Sequence, residues 1–239
     1  MAESLQSQLR KHLVALSAAG VEFVPIAPPA PVRLFQSSPN ESAPDPDADR
    51  RRQLQTVASE AAKCDRCAGL FATRTQVVFG GGPMSPDILF LGDAPGADDD
   101  RDGHPFRGEA GALLDKILGA MGLSRAEVYL TTAIKCRPPR NRPPTADECG
   151  NCRGYLDRQL ELVRPRAICC LGETAARALL GMSGNIRTLR GQTHDHAGTP
   201  VVCTYHPQEV VQNAALKRPV WEDMLRLLKL LGRTPPPKS

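Results

Sequence analysis

Eight cysteines in a chain of 239 residues are the first group whose type and spacing could do chemistry. Cys64 and Cys67 form a Cys-x2-Cys pair. Cys136 follows an apolar run, inside KCRPP, and Cys152 comes after it with fifteen residues between them. Four thiolates are the donor set of an iron–sulfur cluster, and a tetrahedral zinc accepts the same set. Cys149 lies one helical turn before Cys152, so both could face one site. Spacing alone leaves that choice open. Cys169, Cys170 and Cys203 fall inside apolar runs and read as core packing. A second group stands where apolar runs end: Asp93 after ILFLG, and His206 after VVCTY.

The elements that must position these residues show a βα rhythm. Apolar runs at Ile88 to Leu91, Val128 to Ile134, Ala167 to Leu171 and Val201 to Tyr205 read as four strands. Helical spacing is expected from Gly111 to Met121, Thr145 to Val163, Ala175 to Leu180 and Trp221 to Leu231, with Thr145 and Glu148 forming a capping box. Continuous apolar strands alternating with helices predict a three-layer α/β/α sandwich around a central, mainly parallel four-stranded sheet. In such sheets the working site gathers at the carboxyl ends of the strands. Three unusual loops begin there: GDAPGADDD, KCRPPRNRPP and YHPQEVV.

Upstream, Leu5, Leu9, Leu13 and Leu16 recur at helical spacing and Gly20 follows as a C-cap, which reads as a short docking helix. Pro25 to Asp49 is proline-rich and acidic, the composition of a flexible linker. Residues 1–49 are therefore expected to form a helix and tether, and residues 50–235 the folded domain. Aromatics are only 4% of the chain, so Leu, Val, Ile and Ala must fill the core. The formal net charge of +4 permits binding to a polyanion without demanding it. No stretch reaches the roughly 20 apolar residues of a membrane span, and the first residues lack the apolar core of a signal peptide. A cytoplasmic, reducing setting is expected, in which patterned cysteines favour metal over disulfide.

Taken together, these motifs resemble the iron–sulfur, family 4 branch of the uracil-DNA glycosylase superfamily. The resemblance runs from about Cys64 to Trp221. It rests on the Cys-x2-Cys, GDAPG at Gly92 to Gly96, HPFRGEAGALLD at His104 to Asp115, KCRPPRNR at Lys135 to Arg142, Cys152, CLGETAA at Cys170 to Ala176, and YHP at Tyr205 to Pro207, all in the family's order. The resemblance implies a [4Fe-4S] cluster on Cys64, Cys67, Cys136 and Cys152. It also implies a monomeric DNA-repair enzyme, nucleoid-associated when bound to DNA, that flips uracil or another deaminated base out of the helix and hydrolyses its N-glycosidic bond. A non-catalytic iron–sulfur DNA-binding relative is the alternative.

The resemblance also implies roles for particular residues. Phe106 would stack on the base, and Gly92, Ala94, Gly96 and Thr132 would surround it. Asp93 would stabilise the cationic sugar and orient a water. His206 would donate to the base oxygen as negative charge grows there. Three positions depart from the family's pattern. Asp93 stands where glutamate is usual, shortening the carboxylate by one methylene. Thr132 stands where asparagine is usual, and a hydroxyl cannot read a base edge bidentately. Gln208 and Gln212 stand where the family commonly has serine and an arginine.

Overall fold

A computed structural model of the chain describes residues 5–20 and 46–237; residues 21–45, most of the expected linker, lie outside them. The chain divides into two compact units between Pro44 and Asp45. The first carries α1 (Leu5–Ala18), the helix expected from the leucine spacing; none of its residues is buried, and Leu5, Leu9, Leu13 and Leu16 are all exposed.

The second unit opens with α2 (Ala48–Ala62) and α3 (Ala68–Phe71), then alternates strand and helix. In chain order follow β1 (Ile88–Gly92), α4 (Ala97–Asp102), α5 (Gly108–Ala120), β2 (Tyr129–Thr132), α6 (Ala146–Val163) and β3 (Ala167–Leu171). After these come α7 (Glu173–Leu180), α8 (Ile186–Leu189), β4 (Thr193–His196), β5 (Thr199–Thr204), α9 (Pro207–Gln212) and α10 (Lys217–Leu230). The sheet order is β2-β1-β3-β5-β4, parallel throughout except for β4, which pairs antiparallel with β5.

β1, β2 and β3 are buried at every position because both faces of the sheet are covered. Ile88 and Phe90 of β1 join Leu114 and Leu118 of α5 and Met224 and Leu227 of α10 in one core. Leu89 and Leu91 join Leu156 and Leu160 of α6 and Ala175 and Leu179 of α7 in the other. This is the layered arrangement expected from the sequence, with one strand more. The fifth strand, β4, reads Thr-His-Asp-His and buries no residue, so it offers no apolar run to find. Cys169, Cys170 and Cys203 are fully buried in the strands. Among the described residues, no helix is long and apolar enough to cross a membrane.

The end of β5 is pinned to α10 by a buried carboxylate. Asp223 Oδ2 accepts from Thr204 Oγ1 (2.7 Å) and from Arg190 Nε (2.9 Å), while Arg190 also donates to the Pro219 carbonyl (2.7 Å). The Arg190 guanidinium lies over the Tyr205 ring. This network sets where Tyr205 and His206 leave the sheet. Removing one partner of a buried ion pair strands the other and costs about 3–5 kcal/mol. Asp223→Ala should therefore lower the unfolding free energy by about that amount in a denaturant titration. Asp87→Ala, which breaks pairs with the exposed Arg166 and Arg233, should cost no more than about 1 kcal/mol for each. Equal losses would show that Asp223 does not anchor the strand end.

Candidate active site

The carboxyl ends of β1 and β5 open on a cavity of about 310 Å3, lined among others by Asp93, Ala94, Gly96, Phe106 and His206. That volume lies at the lower end of the roughly 300–1,000 Å3 usual for small-molecule sites. His206 is the N-cap of α9: its Nδ1 accepts from the Gln208 backbone N–H at 3.1 Å, and its own N–H donates to Glu209 Oε1 at 3.0 Å. Burial pushes the imidazole down to about pKa 4, so it is neutral at pH 7. With Nδ1 accepting, the single ring proton sits on Nε2, where it can be donated. The ring stacks on Phe106 with centroids 6.1 Å apart and 27° between planes.

Asp93 occupies the opposite strand end. Its carboxylate rests on the amino end of α7, where Oδ1 accepts from the Ala175 backbone N–H at 2.6 Å and Thr174 adds a side-chain hydrogen bond. Gly172 makes room for it, because a Cβ there would stand 2.8 Å from both carboxylate oxygens. Burial nevertheless dominates the peptide hydrogen bond, with help from Glu209 and Glu173, and raises the carboxyl to about pKa 7. The group is thus poised between its two protonation states near neutrality, the usual mark of a working acid or base.

Phe106 is held by residues that sequence reasoning missed. Its backbone is left-handed, at φ 58°, an outlier for an aromatic residue. Asp99 fixes this bend from one side by accepting from the backbone N–H groups of Gly96 (3.0 Å), Arg107 (2.6 Å) and Phe106. Arg125 fixes it from the other side by donating to the Phe106 carbonyl. Asp100 ties the same turn to Thr75 and Gln76. The ring packs flat against β1, where a Cβ on Gly92 would lie 2.7 Å from its Cζ. The run Asp98-Asp99-Asp100 is the available signal, but it reads as a solvated acidic turn until the loop at Phe106 is folded onto it.

Other expected residues sit further back. Gly96 spends its N–H on Asp99. Thr132 is buried, and its hydroxyl donates to the Ile134 carbonyl at 2.8 Å; it is not among the residues that line the cavity. Just beyond it, Lys135 is fully buried and donates to Thr131 Oγ1, the Thr132 carbonyl and Gln159 Oε1, each at 2.7 Å. These three acceptors satisfy the three donors of an ammonium. Burial lowers Lys135 to about pKa 7.

The thiols of Cys64, Cys67, Cys136 and Cys152 line one small separate cavity, and Cys149 does not. Each of the four has a hydrogen-bonding neighbour: Tyr155 for Cys64, Asn151 for Cys67, Arg74 for Cys136 and the Lys135 backbone N–H for Cys152. Burial raises Cys152 to about pKa 11, and it raises Cys136 as well. Among the described residues, no group of three or more His, Cys, Asp or Glu side chains is placed to hold a metal ion. Cys149 instead lines a second cleft with Thr145, Thr174 and Arg177.

A mainly parallel sheet thus gathers an aromatic ring, a neutral histidine and a raised carboxyl around one cavity. The family model described as the uracil DNA glycosylase superfamily matches residues 79–225, more than half of the chain. The chain belongs to that superfamily. It is similar to the type-4 uracil-DNA glycosylase of Archaeoglobus fulgidus, at 37% identity over 77% of this chain and 96% of that protein. A second similar protein is the type-4 uracil-DNA glycosylase of Thermotoga maritima, at 37% identity over 73% of this chain and 93% of that protein. It is also similar, at 31% identity, to a type-5 uracil-DNA glycosylase of Thermus thermophilus, over 77% of this chain and 99% of that protein. The family read from the motifs is therefore the family found.

The two raised and lowered groups leave opposite marks on stability. Asp93 titrates near 3.8 when unfolded and near 7 when folded, so folding takes up a proton between those values and stability falls as pH rises through them. His206 titrates near 6.5 unfolded and near 4 folded, so folding releases a proton and stability rises with pH across that interval. Asp93→Asn leaves only the second effect. Denaturant titrations across the interval between roughly pH 4 and 6.5 should show stability rising more steeply with pH in Asp93→Asn than in the wild type. Parallel curves would mean that Asp93 is not raised in the folded chain.

Proposed function

We propose that this chain removes uracil, or another deaminated base, from DNA and leaves an abasic site. The observation that carries this reading is the pairing of Phe106 with a neutral His206 over one cavity that Asp93 also lines. A base turned out of the helix would stack on Phe106. As the N-glycosidic bond breaks, its electron pair passes to the base, and His206 Nε2–H meets the charge developing on the base oxygen. Asp93 in its ionised form stabilises the cationic sugar and takes a proton from the water that adds to it. The base leaves as its anion and is neutralised by the proton that Asp93 then releases, so the products are a free base and a hydroxyl-bearing abasic sugar. Water is the nucleophile in this reading, so the enzyme is monofunctional; a monomer is the state we propose for it. A DNA substrate and a repair role fit a protein that works inside the cell.

The four thiols of Cys64, Cys67, Cys136 and Cys152 would hold a [4Fe-4S] cluster. A thiolate donor set with one hydrogen-bonding neighbour per sulfur suits such a group. Buried thiols raised by desolvation also need a cationic centre if they are to ionise. When bound, the cluster would supply a cross-link between the segment after α2, the loop after β2 and α6. Cys149, outside that cavity, is not a ligand in this reading.

Two experiments test the proposal. In single-turnover excision of uracil, His206→Ala should slow the chemical step roughly 100- to 1000-fold while leaving DNA affinity nearly unchanged. The wild-type rate should rise with pH to a plateau above about 7, following Asp93, with no inflection from His206 between roughly pH 5 and 8. An intact rate in His206→Ala would remove the histidine from the mechanism. Separately, Cys136→Ala and Cys152→Ala should lose iron and its visible absorbance, whereas Cys149→Ala should keep both. Full iron in Cys152→Ala would transfer the fourth position to Cys149.

A further inference from the structure

The loop after β2 carries Arg137, Arg140 and Arg142 among prolines. Its centre is left-handed at two successive residues, Arg140 at φ 58° and ψ 22°, and Asn141 at φ 55°. Asparagine tolerates that region; an arginine, with its Cβ against the backbone, does not favour it. Such strain is retained where the surrounding structure enforces it, and it concentrates at working sites. Two of the three arginines are committed inside the protein. Arg137 Nε donates to Asn141 Oδ1 at 2.7 Å, which holds the bend closed. Arg142 grips both carboxylate oxygens of Glu148, at 2.8 and 2.6 Å. Arg140 is exposed and has no hydrogen-bond or ion-pair partner among the described residues.

The bend stands at the mouth of the cavity, which Pro138, Asn141 and Arg142 help to line. The same cavity is also lined by the acidic residues Asp98, Asp99 and Glu109. Arg107 in that lining is already paired with Asp102 at 3.1 Å, and Arg101 of α4 with Asp98 at 2.6 Å. A polyanion entering this mouth needs an uncommitted cation. Beyond YHP, the segment that bears an arginine in the family carries Gln208 and Gln212 here, and both are exposed.

We propose that Arg140 supplies this grip, its guanidinium taking a DNA phosphate next to the flipped nucleotide where Gln212 cannot. The proposal rests on the glycosylase reading above and names the residue that seats its substrate. Each phosphate neutralised steepens the salt dependence of binding by about 0.9 for duplex DNA and about 0.7 for a single strand. The test is the affinity for an oligonucleotide carrying a non-hydrolysable deoxyuridine analogue, measured over a range of salt. Arg140→Gln and Arg140→Gly should each flatten the slope by nearly one and weaken binding roughly 5- to 10-fold near 0.1 M salt. Arg140→Gly also relieves the left-handed backbone, so its melting temperature should hold or rise while its affinity falls. Adding Gln212→Arg to Arg140→Gly should restore the slope. Wild-type slopes in both single variants would overturn the proposal while leaving the glycosylase reading standing. A wild type that neither binds this DNA nor releases uracil would overturn both.

Discussion

Burial at the carboxyl ends of β1 and β5 governs the protonation of the two groups that matter most. A histidine in water is partly charged at neutral pH and a carboxylic acid is fully ionised. At the floor of this cavity the histidine is held neutral and the carboxyl is held near its midpoint. Desolvation disfavours charge of either sign, so one physical cause moves an acid up and a base down. The consequence is a histidine–carboxyl pair that carries little charge at rest and can answer charge that develops during a reaction. The Gln208 amide that occupies His206 Nδ1 turns a neutral ring into an oriented donor.

Everything nearby serves to keep these groups where burial can act. Gly172 lacks the Cβ that would push Asp93 off the amino end of α7. Asp99 and Arg125 hold the bend at Phe106, so that its ring covers Gly92 and stacks on His206. Asp223 and Arg190 fix the exit of β5 from behind. The ammonium of Lys135 gathers the end of β2 from within, and its backbone N–H reaches Cys152. The thiol cavity is thus tied to the end of β2.

Much of this was legible in the sequence, for reasons that differ by element. The four apolar strands and their helices could be read because a sheet covered on both faces writes an unbroken apolar run. The strand-end positions of Asp93 and His206 followed from that topology. The capping box at Thr145 and Glu148 is local chemistry and forms as expected. β4 could not be read, because an exposed edge strand of Thr, His and Asp has no periodic apolar face. Asp99 and Arg125 were invisible for a different reason: they act on the backbone of Phe106, through contacts that exist only after distant segments meet. Thr132 was placed correctly in a strand, which ends there rather than at Ile134, but the sequence gives no sign that its hydroxyl would turn back to the Ile134 carbonyl.

The state of His206 is the claim on which this account turns, and nitrogen NMR of the labelled imidazole measures it directly. The account predicts an unprotonated, hydrogen-bond-accepting Nδ1 and a protonated Nε2 at pH 7, with no conversion to imidazolium until the pH approaches about 4. An imidazolium at neutral pH, or a proton resident on Nδ1, would contradict it.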